Sequence, residues 1–472
     1  MVQIPITDTS SIQRIFEAQR ANQYHVAQGT ARDRILKLQR LSDSVMKYRG
    51  EIREALYKDY RRHAAEVDLV EIFPITSTIK HTKRHLRRWM APQKVATPMS
   101  MLGSSSWIEY EPKGVSLIIG PWNFPVMLVL VPLVSAIAAG NTAIIKPSEI
   151  TPNSSAVVKK IIREVFEEGE VAVIEGGVET STSLLELPFH HIFFTGSPEV
   201  GKIVMAAAAK NLTSVTLELG GKSPTIIDET ADIEIAASRL SGAKFMNNGQ
   251  ICIAPDYVLV HESRLNAFID AMKNRIRSSY GDNAAESESY MRIVNARNFQ
   301  RVQSYLQDSI KAGAKVVHGG NTDASDNFIE PTLVTDLPPD SPLMQKEIFG
   351  PVLPIMPYKD LQEVIDFLQS KEKPLGLYIY SKNRQNIKRI LQSTRAGGTC
   401  INNNAVHFFN PNLPFGGSNN SGIGKSHGRI GFIGFSNERA VYKQNLPSVL
   451  DWLVPPYTAG KMKLIDFTIK WF

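Results

Sequence analysis

Cysteine is scarce in this chain: Cys252 and Cys400 are the only two among 472 residues. Two thiols cannot form the disulfide framework of a small secreted domain, so a reducing, cytoplasmic compartment is the expectation. Long apolar runs are missing too. The longest uncharged one, VMLVLVPLVSAIAA (126–139), has 14 residues and contains Pro132. A membrane span takes about 20 residues, so this run reads as a buried helix and no transmembrane segment is expected. The first residues, MVQIPITDTS, have neither the basic start nor the apolar centre of an export signal. Internal repeats and low-complexity tracts are absent, and no residue set is assigned to a metal.

What is present is ordinary for a large globular chain: 43% hydrophobic and 21% charged residues, with room for two or three domains. The net charge is +7, and part of it sits in KHTKRHLRRW (80–89). No binding motif accompanies that stretch, so it reads as a solvated helix face; a nucleic-acid partner is not expected.

Apolar positions at threes and fours predict helices over Ser11–Gly29, Ala31–Arg49 and Gly50–Arg62, with helical pattern continuing to about residue 90. Prolines and a glycine interrupt 92–103, and SWIEYE (106–111) alternates as an exposed strand would. A regular alternation follows. Strands VSLIIG (115–120), TAIIKP (142–147), VAVIEG (171–176), HIFFTG (191–196) and SVTLEL (214–219) are separated by helices over 126–139, 154–167, 181–187 and 199–209. This is the pattern of a doubly wound parallel sheet, in which ligands sit at the carboxyl ends of the strands. Those ends carry Gly120-Pro121-Trp122-Asn123, Lys146-Pro147-Ser148-Glu149, Gly196-Ser197 and Glu218.

No GxGxxG lies at the first turn. FTGSPEVG (194–201) instead puts Gly196 and Ser197 at a helix start, where free N–H groups favour a pyrophosphate; an ordinary capped helix is the equal alternative. GIGKSHG (422–428) follows no strand and reads as a glycine-rich turn. From residue 220 to about 415 a second α/β region is expected, with helices near 233–245, 264–279 and 296–312 and strands at 256–261 and 376–381. NERAVYKQ (437–444) reads as a strand able to pair with 106–111 in a small separate sheet.

Glu218 and Cys252 lie 34 positions apart, each among glycines and amides that let backbone N–H groups crowd a reacting atom. A thiolate can attack a carbonyl, and a carboxylate can activate the water that breaks the resulting thioester. Singly, Cys252 reads as a small buried hydrophobe and Glu218 as a turn cap.

Together the segments resemble a known family. GPWNFP (120–125), KPSE (146–149), FTGS (194–197), LELGGKSP (217–224), FMNNGQICIAPDY (245–257), EIFGPVLP (347–354) and PFGGSNNSGIGKSHG (414–428) resemble, in order, the signatures of the aldehyde dehydrogenase superfamily. The short N-terminal region and the KPSE wording are most similar to its class 3 and fatty aldehyde members. The resemblance implies a cofactor domain over 1–91 and 112–219, a catalytic domain over 220–417, and a β flap for oligomerisation over 92–111 and 418–445. Residues 446–472 remain as an apolar-basic tail.

It also implies that Cys252 is the nucleophile and that the Asn123 amide and the Cys252 N–H bind the oxyanion. Glu218 would be the base for thioester hydrolysis. Lys146 and Glu149 would bind the adenosine ribose, Gly196 and Ser197 the pyrophosphate, and Glu347 with Phe349 the nicotinamide ribose and ring; Trp122 belongs to the same cofactor wall. Without the family, Lys146 and Glu149 read as an ion pair capping a helix. A carboxylate near the 2′-hydroxyl favours NAD, with NADP open. Gly220, Gly221, Gly350, Gly416 and Gly417 are expected to shape turns, Cys400 to be a packed strand thiol, and His427 to have no chemical role.

The expected activity is oxidation of an apolar aldehyde, medium to long aliphatic or aromatic, to its acid by a homodimer. Two rivals are a dehydrogenase that passes the thioester to coenzyme A, against which Glu218 argues, and a catalytically silent structural homologue. The tail lacks an uninterrupted span; KMKLIDFTIKWF at its end is expected to pack on a neighbouring subunit or over the substrate mouth, with peripheral contact to a membrane surface as the alternative.

Overall fold

The computed structural model describes residues 7–471. The export-signal reading of MVQIPITDTS thus falls mostly outside the described residues, as does Phe472 at the end of the tail. Among the described residues three large sheets organise the chain, beside a two-stranded ribbon of Thr322–Asp323 with Phe328–Ile329. The first has six strands in the spatial order Gly422–Ile423, Ser214–Leu219, His191–Gly196, Val115–Ile119, Thr142–Lys146 and Val171–Val173; all neighbours are parallel except the first pair. Val115–Ile119 and Thr142–Lys146 are buried along their whole length, which is why they are mostly apolar on both faces.

Strand order reverses beside Val115–Ile119. The chain runs first to Thr142–Lys146 and Val171–Val173 on one side, then returns to His191–Gly196 and Ser214–Leu219 on the other. A doubly wound sheet opens its crevice at such a reversal. Gly120–Asn123 and Gly196–Ser197 end the two strands that flank it.

The apolar run becomes the helix Met127–Ala139, with all but Leu128 of its residues buried. It packs against the sheet and against two helices of the N-terminal region, Ala31–Lys47 and Phe73–Met90. Phe73–Met90 buries Ile75, Ile79, Leu86 and Trp89 and leaves Lys80, Arg84, Arg87 and Arg88 exposed. The basic residues of this run therefore lie on a solvated face, as expected.

The second sheet has seven strands, ordered Lys315–His318, Thr332–Thr335, Val352–Tyr358, Pro255–His261, Ser223–Ile227, Gly376–Tyr380 and Gly398–Ile401. In the third, Gln93–Val95, Ser104–Pro112 and Ser436–Gln444 are antiparallel, with Val441 opposite Trp107. The expected pairing of 106–111 with 437–444 is present and longer at both ends.

One expectation changes. The segment read as a turn after no strand contains Gly422–Ile423, which pairs antiparallel with Ser214–Leu219 and sets Gly422 opposite Glu218. A Cβ on Gly422 would lie 2.4 Å from the Leu217 carbonyl oxygen; this close approach is what the glycine permits. Two residues are too few for any periodicity to show. The tail forms a short 3₁₀ turn and the helix Ala459–Trp471, which buries none of its side chains. No helix among the described residues is long and apolar enough to cross a membrane.

Leu133, fully buried in the Met127–Ala139 helix, tests the packing. Leu133→Ala is expected to cost about 2–5 kcal/mol, read from the denaturant midpoint at constant slope. A loss under about 1 kcal/mol would mean that the site collapses around the cavity and that the helix is less tightly packed than its burial implies.

Candidate active site

Two cavities meet at one point. The first, about 300 Å³, has a mostly apolar wall that includes Val70, Phe124, Met127, Val131, Phe408 and Phe415. The second is an open cleft of about 860 Å³ between the first and second sheets, lined among others by Trp122, Asn123, Gly196, Ser197, Glu347 and Phe349. Leu128, Thr195, Glu218 and Cys252 line both.

Cys252 reaches this point through an unusual turn. The helix Ile233–Phe245 ends, and Asn247, Asn248 and Gly249 then take left-handed φ of 50°, 55° and 71°. Three such residues in a row must be held by their surroundings. Asn247 N–H donates to Glu66 Oε1 (3.0 Å) and Asn248 Nδ2 to the Met291 carbonyl (2.6 Å). Gln250 closes the turn, donating to the Asn247 and Arg292 carbonyls and accepting from Val294 N–H. Cys252 then emerges half-buried beside Ile253, Leu375 and Phe415. Burial, followed by the charges of Glu347 and Glu218, pushes its thiol up to about 12.

The Asn123 side-chain amide donates one hydrogen to the Gln250 carbonyl (2.9 Å). That acceptor fixes which way the amide faces, and its second hydrogen is left for the cleft. Glu218 sits one residue before the end of its strand, in the wall of both cavities. Its Oε1 accepts from Ser426 Oγ at 2.8 Å, while Oε2 is buried without a partner. Burial pushes this carboxyl up to about 8; the Ser426 hydrogen bond and the Lys425 charge oppose the shift. Thr195 Oγ1, at the same junction, is likewise buried and unpaired.

Glu347 lies against Gly220, where a Cβ would come within 2.3 Å of its Oε2. Burial, then the Asp256 charge, pushes Glu347 up to about 8. Phe349 has a left-handed φ of 46°, meets the Trp122 ring edge-on at 5.3 Å, and is held by Arg301, which donates to the Ile348 and Phe349 carbonyls. Ser197 caps the helix Pro198–Ala209, accepting from Val200 N–H at 3.4 Å. The turn is a capped helix start, and it lines the cleft.

Eight of the residues named from the sequence, Cys252, Glu218, Asn123, Trp122, Gly196, Ser197, Glu347 and Phe349, thus line one cleft, and two of them, Cys252 and Glu218, stand where it meets the apolar cavity. Lys146 and Glu149 form a 2.6 Å ion pair at the end of Thr142–Lys146 and line neither cavity. Cys400 is a buried strand thiol with Sγ 3.2 Å from His407 Nδ1. The ring of His427 stacks on Phe415 at 5.0 Å, and burial pushes it down to about 4. Among the described residues no cluster of His, Cys, Asp or Glu is arranged to hold a metal ion.

Ser426, Lys425 and Thr195 were not singled out from the sequence. Ser426 lies 208 positions from Glu218, and only the antiparallel pairing at Gly422 brings the two together. The quoted motif PFGGSNNSGIGKSHG contained Lys425 and Ser426, but nothing in its spacing pointed at a carboxylate.

A model of the aldehyde dehydrogenase family matches residues 1–441. The chain is 44% identical over 434 residues to 4,4′-diaponeurosporen-aldehyde dehydrogenase of Staphylococcus aureus (strain NCTC 8325 / PS 47), covering 92% of this chain and 94% of that one. It is 41% identical to aldehyde dehydrogenase family 3 member A2 of Pongo abelii, over 93% of each. It is also 41% identical to the dimeric NADP-preferring aldehyde dehydrogenase of Rattus norvegicus, over 88% of this chain and 90% of that one. Among solved structures, the substrate-bound state of Staphylococcus aureus AldH superposes with TM-score 0.93 at 42% identity, covering 97% and 99%. Betaine aldehyde dehydrogenase of the same organism, in complex with NAD+, gives 0.86 at 25% identity, covering 96% and 94%.

The free chain should hold Cys252 as a thiol at neutral pH. Its alkylation by iodoacetamide, followed by peptide mass spectrometry, is expected to be slow at pH 7 and to accelerate about tenfold per pH unit while the thiolate remains the minor form. At pH 9, where the neighbouring carboxylates are ionised, Glu347→Gln should quicken it by removing a negative charge. A variant rate equal to the parent's would show that this charge does not reach the sulfur.

Proposed function

The chain belongs to the aldehyde dehydrogenase family, and on that footing we propose that it oxidises apolar aldehydes to carboxylic acids with NAD as its preferred hydride acceptor. The observation that carries this reading is the junction itself. A thiol and a carboxyl, Cys252 and Glu218, stand in the common wall of an apolar cavity and a larger cleft of mixed polarity. An aldehyde in the first and a dinucleotide in the second would meet there.

The cleft fits a dinucleotide. It has the volume, it opens at the reversal of strand order, and it is lined by the start of the helix Pro198–Ala209, whose dipole favours a pyrophosphate. Trp122 and Phe349 provide apolar walls for the nicotinamide end, with Glu347 beside them. In this reading the adenosine end extends past the lined cleft to Lys146 and Glu149 at the end of the neighbouring strand, where the Glu149 carboxylate would favour NAD by repelling a 2′-phosphate. When bound, the oxidised nicotinamide supplies the hydride acceptor.

The chain's own groups do the rest. Cys252 Sγ adds to the aldehyde carbon, and its proton leaves toward Glu347 or Glu218, both of which burial has brought near neutrality. The developing oxyanion meets the free amide hydrogen of Asn123 and the Cys252 N–H. Once the hydride has left, the acyl group remains on sulfur as a thioester. Glu218 Oε2 then takes a proton from the attacking water, while Ser426 restrains the other carboxylate oxygen. Carbon–sulfur cleavage returns the thiol and releases the acid.

The wall formed by Phe124, Met127, Val131 and Phe408 supports a medium or long aliphatic, or an aromatic, substrate. Exposed Trp452, Tyr457, Phe467 and Trp471 on a tail that contributes nothing to its own chain's cavity support a homodimer in which the tail meets the second copy. Within it, 1–91 with 112–219 would bind NAD, 220–417 would carry the chemistry, and 92–111 with 418–445 would bridge subunits.

Asn123→Ala is expected to slow the first turnover about 10²- to 10³-fold, while Glu218→Gln should keep a burst of NADH and lose steady turnover. No burst in Glu218→Gln would contradict the division of labour; an unchanged rate in Asn123→Ala would remove the oxyanion assignment. The pH profile tests the base separately. Glu218 must be ionised to act, so steady turnover should climb as pH rises through about 8, and a flat profile between pH 6 and 9 would exclude it as the limiting base. Aldehydes of graded chain length, with and without a ring, read the substrate class.

A further inference from the structure

We propose that Arg62, seconded by Tyr60, is a positioning residue for the reaction: it clamps the backbone of Asn123 so that the amide of that residue faces the carbonyl attacked by Cys252. The inference rests on the reading of Asn123 as the oxyanion donor.

Arg61 ends the helix Arg49–Tyr60 in a left-handed conformation, φ 56°, and the chain turns so that the next side chain enters the interior. Arg62 is 0% exposed, with its guanidinium 4.9 Å from the Tyr60 ring centroid and 4.8 Å from that of Phe124. Its Nη2 donates to the Asn123 carbonyl at 2.6 Å and also to Asn247 Oδ1. Nη1 donates to Glu71 Oε1 at 2.8 Å. Glu71 Oε2 in turn accepts from Met127 N–H at 2.6 Å. One buried ion pair therefore grips both ends of the segment 123–127.

The Asn123 carbonyl is crowded with donors. Besides Arg62 it accepts from Tyr60 Oη at 3.1 Å and from Asn247 Nδ2 at 3.0 Å. A carbonyl oxygen has two lone pairs, so three donors leave its peptide little freedom to rotate. The same Asn247 belongs to the left-handed turn that delivers Cys252. Apart from the Glu71 pair, the hydrogen bonds of Arg62 go to the two segments that carry the oxyanion amide and the nucleophile.

Stability alone is a poor reason for such a group. A buried ion pair recovers its desolvation cost incompletely, and apolar residues of similar volume are often as stable. A planar fork that serves Glu71 on one nitrogen and both segments on the other is a matter of geometry, and lysine, a point charge, reproduces it poorly. Arg62 lines neither cavity, so it acts through Asn123 and has no contact with the reacting atoms.

The test uses the full chain with NAD and hexanal. Single-turnover NADH formation, the KM for hexanal, NAD affinity and thermal midpoint are measured for Arg62→Lys and Tyr60→Phe, each alone and combined with Asn123→Ala. Arg62→Lys is expected to slow the single turnover about 10- to 100-fold, the scale of a displaced catalytic group, with KM and NAD affinity held; Tyr60→Phe should give a smaller loss of the same kind. In the Asn123→Ala background neither should add much, because no amide remains to be aimed. Losses that multiply in full, a parental rate in Arg62→Lys, or a fall in NAD affinity and stability together with rate would each overturn the proposal. Should Arg62→Lys not fold, Tyr60→Phe decides, and a parental single-turnover rate there overturns it. If Asn123→Ala itself turns over at the parental rate, the oxyanion reading fails and the clamp fails with it; a slow Asn123→Ala beside a parental Arg62→Lys removes the clamp alone.

Discussion

Three donors on the Asn123 carbonyl, and one arginine shared between that peptide and the turn before Cys252, tie together parts of the chain that are far apart in sequence. The N-terminal helices supply Tyr60 and Arg62. The end of a strand in the first sheet supplies Asn123, and the loop entering the second supplies Asn247. A run of left-handed residues costs roughly 1–2 kcal/mol for each one that is not glycine, so the turn at 247–249 persists only where buried amides and carboxylates hold it. Moving any one of these three parts would move the groups that meet at the junction of the two cavities.

Burial sets the electrostatics of that junction. Glu218 and Glu347 are pushed up to about 8, Glu71 to about 7, and Cys252 to about 12. All four shifts favour the neutral form, as desolvation requires. For stability the sign is definite. A carboxyl whose folded value exceeds its unfolded one contributes most below the unfolded value, and that contribution is lost as pH rises through the folded value. These three carboxyls therefore weaken the fold progressively from about pH 4.5 to 8. The same shifts place two proton acceptors close to neutrality beside a thiol that has a proton to give up.

The two cavities divide the chemistry by polarity. The apolar one takes part of its wall from the Met127–Ala139 helix and from Phe408 and Phe415. The cleft has a helix start, glycines and charged side chains around it. Cys252, Glu218, Leu128 and Thr195 stand where they join, and the unpaired Glu218 Oε2 and Thr195 Oγ1 are the polar atoms there that a bound molecule or water could satisfy.

Much of this was legible in the order of residues. Alternating apolar strands and helices over 115–219 determined a parallel sheet, because strands buried on both faces cannot hide their composition. The motifs quoted for the resemblance named eight residues that line one cleft, and the alternation of 106–111 marked an exposed strand whose expected partner, 437–444, does pair with it. Other features needed the folded chain. The pairing of Gly422 with Glu218 joins residues some two hundred positions apart through two backbone hydrogen-bonding positions, too short to leave a period. Arg62 sits in a charged stretch, RRHAAE, that reads like any solvated helix end; that its guanidinium is buried follows from the left-handed turn at Arg61 and from what packs above it. Sequence determines which side chains are available and which local elements they favour. Only tertiary packing decides which polar atoms lose their water, and those desolvated contacts aim the amide, pin the carboxylate and hold the sulfur protonated.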